Sequence, residues 1–175
     1  MNRAAVLAAL LPACALAQDV APDTDAAMAD VSSHRDYTDP AQRERPIACA
    51  PGDLERRPGQ SLGQVFGDAW PAPPADAAKR ERATVEHWGK LVMPAGLAPK
   101  DVTVVVAALV GADGEPLRAE PLCATETGFD TSAARTVMRS RFAPTRYDGV
   151  PAVGATVVVV QYARNAGGMR TGRRP

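Results

Sequence analysis

The chain has 175 residues, with 20 Lys and Arg against 20 Asp and Glu, and so no formal net charge. That balance argues against a dedicated nucleic-acid binder, which carries a basic excess. An apolar share of 46% argues against disorder along the whole length, while 14 Gly and 16 Pro assign part of the chain to loops and linkers.

Residues 1–17 have the form of an address. Met1-Asn2-Arg3 is a short positive start, Ala4 to Leu11 is apolar, and Ala15-Leu16-Ala17 is an Ala-x-Ala ending. Together these are the parts of a secretory signal peptide, with cleavage after Ala17. A membrane anchor is disfavoured, because the run from Ala4 to Ala17 is shorter than the ~20 residues that cross a bilayer. A lipoprotein start at Cys14 is the alternative, although Pro12 sits awkwardly in that pattern. Membrane contact is expected only if Cys14 carries lipid. Without Cys14, Cys49 and Cys123 remain. In an oxidising compartment this pair is a candidate disulfide, with two free buried thiols as the alternative. There is no Cys-x-x-Cys, and His34 and His87 stand alone, so neither a metal site nor a cofactor is expected.

Residues 18–45 are poor in large apolar groups and rich in Asp, including Asp19, Asp23, Asp25, Asp30, Asp36 and Asp39. Such a stretch cannot offset its ordering entropy and is expected to be a disordered acidic arm. Residues 46–100 are irregular. Ile47, Leu54, Leu62, Val65, Phe66 and Trp70 are interrupted by Pro and Gly, which suggests chain packed loosely on the domain and tied by Cys49. Within this region a helix is expected near 76–91. Asp76 can cap it, no Pro or Gly interrupts it before Gly89, and Val85, Trp88 and Leu91 fall at helical spacing.

Residues 101–164 are the most informative. Val102 to Val110 is a β-branched run of strand length, and Gly111-Ala112-Asp113-Gly114 is a turn signal. Leu117 to Ala124 is a second strand, in which Pro121 marks an edge or a bulge. Asp130 or Thr131 can cap a helix to about Arg141, with Ala134, Val137, Met138 and Phe142 on one face. Tyr147-Asp148-Gly149 is a turn, and Val153 to Tyr162 is a third strand. The fold class is therefore α+β: strand, strand, helix, strand, as a small antiparallel or mixed three-stranded sheet of order 2-1-3 packed by one or two helices. The last strand is expected at a sheet edge. Residues 165–175, with Arg170, Arg173 and Arg174 and no acid, suggest a disordered basic tail.

Several features here occur together and in order. They are the Asp113-Gly114 turn, Gly128-Phe129-Asp130, the pair Ala133-Ala134, Arg141-Phe142-Ala143-Pro144, Gly149-Val150-Pro151 and a final valine strand. With these the stretch 102–162 resembles the C-terminal domain of the TonB energy-transducer family, over roughly a third of the chain. The resemblance implies a non-catalytic periplasmic domain, related to outer-membrane transport, that binds a short extended peptide of an envelope or outer-membrane protein by strand addition. The docking edge would be Thr156, Val157, Val158, Val159, Val160, Gln161 and Tyr162. The alternative is an envelope scaffold or self-assembling module that uses the same edge without a role in energy transduction, the partner then being another envelope component or a second copy. The chain departs from the family in three ways. Its N-terminus has the form of a cleavable leader, its Pro-rich piece at Trp70–Pro74 is short, and the family's aromatic-Pro motif is replaced at best by Met93-Pro94. Catalysis is not expected: His34 falls in the acidic arm, His87 has charged neighbours, and no carboxylate pair sits in an apolar setting.

Overall fold

The computed structural model describes residues 31–164. The leader, Cys14, residues 18–30 of the acidic arm and the basic tail 165–175 lie outside the described residues.

The strands, in chain order, are β1 (Leu54–Glu55), β2 (Arg80–Glu81), β3 (Thr84–His87), β4 (Val102–Val110), β5 (Pro116–Ala124), β6 (Arg141–Ala143), β7 (Thr145–Tyr147), β8 (Val150–Ala152) and β9 (Gly154–Tyr162). The α-helices are α1 (Pro40–Arg43), α2 (Leu62–Phe66) and α3 (Asp130–Val137). The main sheet has the order β1-β5-β4-β9, and every pairing in it is antiparallel. The expected order 2-1-3 is therefore present in β5-β4-β9, and the short β1 extends it beyond the hairpin. Gly114 turns the hairpin with φ +82°. A Cβ there would lie 2.1 Å from the Phe142 carbonyl oxygen, so the turn needs glycine for space as well as for conformation. Pro121 sits at a bulge. The register steps from Val105↔Cys123 to Val106↔Pro121, leaving Leu122 as the extra residue.

Side chains alternate along β4, and both of its faces are buried. Val104, Val106, Ala108 and Val110 join a core with Ala83, Phe129, Ala133, Val137, Phe142 and Tyr162. Val105, Ala107 and Leu109 join a second core with Tyr37, Ile47, Leu62, Val65, Phe66 and Trp70. The sheet is therefore the middle layer of three.

The N-terminal layer corrects two expectations. Residues 31–45 are folded, with a 3-10 turn at Ser32–His34 and the helix α1, and Tyr37 and Thr38 are buried. Nor is the segment around 46–70 loosely packed. Ser61 and Gln64 form a reciprocal capping box on α2. Trp70 is fully buried, edge-on to Tyr37 at 6.4 Å and to Phe66 at 6.3 Å, with the Arg43 guanidinium 5.3 Å from its ring. The Pro and Gly residues removed any regular period, while a few large side chains supplied the packing. Cys49 and Cys123 form a disulfide that ties this layer to β5.

The expected helix near 76–91 is absent. β2 pairs with β7, and β3 pairs with β6 through Thr84↔Ala143 and Val85↔Phe142. Val85, Trp88 and Leu91 do pack against the first core. Their three-residue spacing marked the buried side chains correctly, but cross-strand partners more than fifty residues away decide the backbone. The helix α3 ends at Val137 rather than near Arg141, which lies in β6. Its inward face is Ser132, Ala133, Thr136 and Val137, whereas Met138 is exposed. Asp130 does not cap it by a side-chain hydrogen bond and instead accepts from Arg56 Nε at 3.0 Å. Small residues face the sheet because the helix lies close to it, and the Thr136 hydroxyl is satisfied by donating to the Ser132 carbonyl.

The disulfide closes a separation of 74 residues, which chain-entropy reasoning values at roughly 4 kcal/mol. The double variant C49A/C123A is expected to lose about 2–4 kcal/mol of unfolding free energy in urea titration. An unchanged midpoint would show that the N-terminal layer is held by packing alone.

Candidate partner-binding edge

β9 is Gly-Ala-Thr-Val-Val-Val-Val-Gln-Tyr, a β-branched run that pairs with β4 without a register shift, from Val102↔Tyr162 to Val110↔Gly154. Its first residue must be small, because a Cβ on Gly154 would lie 2.0 Å from Thr145 Oγ1. Among the described residues no strand pairs with its other side.

The pairing shows which main-chain groups face outward. The Thr103 carbonyl accepts from the Thr125 amide at 3.0 Å, and the Thr103 amide donates to Thr125 Oγ1 at 3.0 Å, both on the β5 side. Direction alternates along an antiparallel strand, so Val104, Val106 and Ala108 direct their amides and carbonyls toward β9. Their partners Val160, Val158 and Thr156 face β4 in return. The outward groups of β9 are those of Ala155, Val157, Val159 and Gln161.

Of the edge residues expected from sequence, only Val157, Val159 and Gln161 thus offer main chain to a partner. Thr156, Val158, Val160 and Tyr162 spend theirs on β4, and the side chains of Val160 and Tyr162 are buried in the first core. Ala155 was not among the expected residues and belongs to the edge. The sequence signal for it is weak, because an alanine outside a valine run does not announce a strand.

The edge has two parts. Val159 and Gln161 are exposed. Ala155 to Val158 form the floor of a cleft of about 220 Å³. One wall is Ser33, Arg35 and Tyr37 from the N-terminal layer, and the other is Arg82, Thr84 and Val85. The walls belong to opposite layers: Tyr37 packs in the second core, while Ala83 and Val85 pack against the first. The cleft is therefore the seam between the layers, with the strand edge at its base. Arg80 ties the walls, donating to the carbonyls of Thr38 at 3.3 Å, Pro74 at 3.2 Å and Ala75 at 2.9 Å. No sequence pattern joins residues 33–37, 82–85 and 155–158, so the walls were not legible.

The far end is anchored by Tyr162. Its ring lies 4.9 Å from Phe129, and its hydroxyl donates to the Val92 carbonyl at 3.2 Å. Burial pushes its pKa up to about 12. Among the described residues no group of three or more His, Cys, Asp or Glu could hold a metal ion, and no helix is long and apolar enough to cross a membrane. His87, expected on a helix, is an exposed strand residue. Comparison with protein-family models, with curated proteins and with solved structures returns no match to this chain.

Burial raises the pKa of all three tyrosines of the chain, Tyr37, Tyr147 and Tyr162. Unfolded phenols ionise near pH ~10 and the folded ones later, so their stabilising contribution is complete below ~10 and is lost as pH rises through the folded values. In absorbance titration of the native protein, phenolate is expected to appear only above pH ~10, with Tyr162 last. A tyrosine that ionises at or below that value in the folded protein would contradict the burial of these rings.

Proposed function

We propose that the protein is a non-catalytic periplasmic binding domain of the TonB C-terminal type, which captures an extended segment of an envelope or outer-membrane protein as an added strand beside β9. One observation carries the reading: β9 is the last strand of its sheet, with outward main-chain groups at Ala155, Val157, Val159 and Gln161 and no described strand on that side. A row of amides and carbonyls at a strand edge recognises extended backbone of almost any sequence, and side-chain pockets then select among candidates. The succession β4, β5, α3 and β9, with the short β6 to β8 between helix and last strand, and the sequence features from Asp113-Gly114 to Gly149-Val150-Pro151 support the family assignment. The disulfide fits an oxidising compartment such as the periplasm. An enzymatic reading has no comparable support.

The register selects the test. The Val159 amide points outward, so V159P removes one donor from the docking side and spares the β4 ladder. The Val158 amide points toward β4, so V158P should damage the sheet itself. Binding is to be measured with fluorescent peptides copied from periplasm-facing extended segments of outer-membrane proteins. V159P should keep the native circular dichroism spectrum and lose about tenfold in affinity, the equivalent of roughly one or two main-chain hydrogen bonds. Folded V159P that binds as tightly as the parent would remove strand addition as the mechanism. A chain that multiplies in mass through this edge, and returns to a monomer in V159P, would instead identify a self-assembling module.

A further inference from the structure

The cleft beside β9 has a definite charge. Among the described residues its charged lining is Arg35 and Arg82, with no carboxylate. Of the described acids close in sequence to the lining, each is engaged or lies outside it. Asp36 accepts from the Thr38 amide and hydroxyl, and Glu81 is paired with Lys79 at 2.6 Å. Glu86 is exposed on β3 beyond the lining.

The arginines differ in what they do. Arg35 is buried and donates to the Pro46 carbonyl at 2.6 Å, so it holds the N-terminal wall. Arg80, just outside the cleft, donates to three carbonyls. Arg82 is exposed on the opposite wall and has no hydrogen-bond or carboxylate partner among the described residues. An exposed guanidinium beside an open strand edge has its donors available for a ligand carboxylate, which it can grip with two parallel N–H bonds.

Strand geometry then orients the ligand. A strand laid beside β9 directs alternate side chains to the two walls. Residues opposite Val157 project toward Arg35 and Tyr37. Residues opposite Thr156 or Val158 project toward Arg82 and Thr84. We infer that the cleft selects a segment of a separate partner protein that is extended and acidic, with an Asp or Glu opposite Thr156 or Val158 meeting Arg82. The inference rests on the strand-addition reading and adds to it the chemistry of the partner.

The test uses the mature chain and three synthetic β-prone peptides of about nine residues, the length of β9. They differ only at alternate positions, which carry Asp, Asn or Lys. By fluorescence anisotropy at low salt, the Asp peptide should bind roughly threefold to fivefold more tightly than the Asn peptide for each carboxylate paired. R82A should abolish that difference, and R82E should reverse it in favour of the Lys peptide. V159P should weaken all the peptides together. If Asp and Asn peptides bind equally and both are weakened by V159P, the acidic preference is wrong while strand addition stands. If V159P changes nothing, strand addition itself fails. A further variant with Asp19, Asp23, Asp25 and Asp30 replaced by Asn identifies the remaining occupant. Unchanged affinity supports a separate partner. A gain of threefold or more would assign the cleft to the chain's own acidic segment and overturn the inference.

Discussion

A single strand buried on both faces governs this structure. Val102 to Val110 has almost no polar side chains, and its alternate residues enter two different hydrophobic cores. Left bare, either face would expose a contiguous valine and leucine surface, so each needs its own cover. One cover is α3 with the strands β3 and β6. The other is the segment 31–70, whose longest helix has five residues. So short a helix has little stability alone, and it persists because Trp70, Phe66 and Leu62 are buried against the sheet and Cys49 is bonded to Cys123.

How much of this was legible in the sequence follows from where each element gets its stability. The strands β4 and β9 carry dense β-branched runs, β5 follows from the hairpin turn before it, and Asp113-Gly114 and Asp148-Gly149 carry their turn chemistry locally, so strands, turns and sheet order could be read directly. The segment 80–87 could not. Its residues suit either helix or strand, and what decides is pairing with β6 and β7, far along the chain. The N-terminal layer was missed for another reason. Its low apolar content suggested disorder at 31–45, but Tyr37 is buried in the core on the second face of the sheet, which no periodicity announced. On α3 the expected face was right at Val137 and, beyond the helix, at Phe142, but Met138 is exposed and Ser132, Ala133 and Thr136 complete the inward face.

The two covers also shape the candidate site. The sheet could have ended in a bare edge, but the layers project past β9 at Ala155–Val158 and leave a walled cleft, while Val159 and Gln161 remain exposed. A walled edge combines generic backbone pairing with side-chain selection, which a flat edge does not offer. It also limits indiscriminate edge-to-edge association, since an incoming strand must fit between Arg35 and Arg82. The position of the edge was legible from the valine run and the strand order. The outward phase was not, because it depends on Thr103 turning its main chain toward β5.

The central claim is that the outer side of β9 is open to pairing, and amide hydrogen exchange resolved by residue tests it most directly. With no partner present, the amides of Thr156, Val158 and Val160 should exchange slowly, through opening of the sheet. Those of Val159 and Gln161 should exchange faster by orders of magnitude. Equal protection at all of these positions would mean that the edge is already paired and would contradict the account.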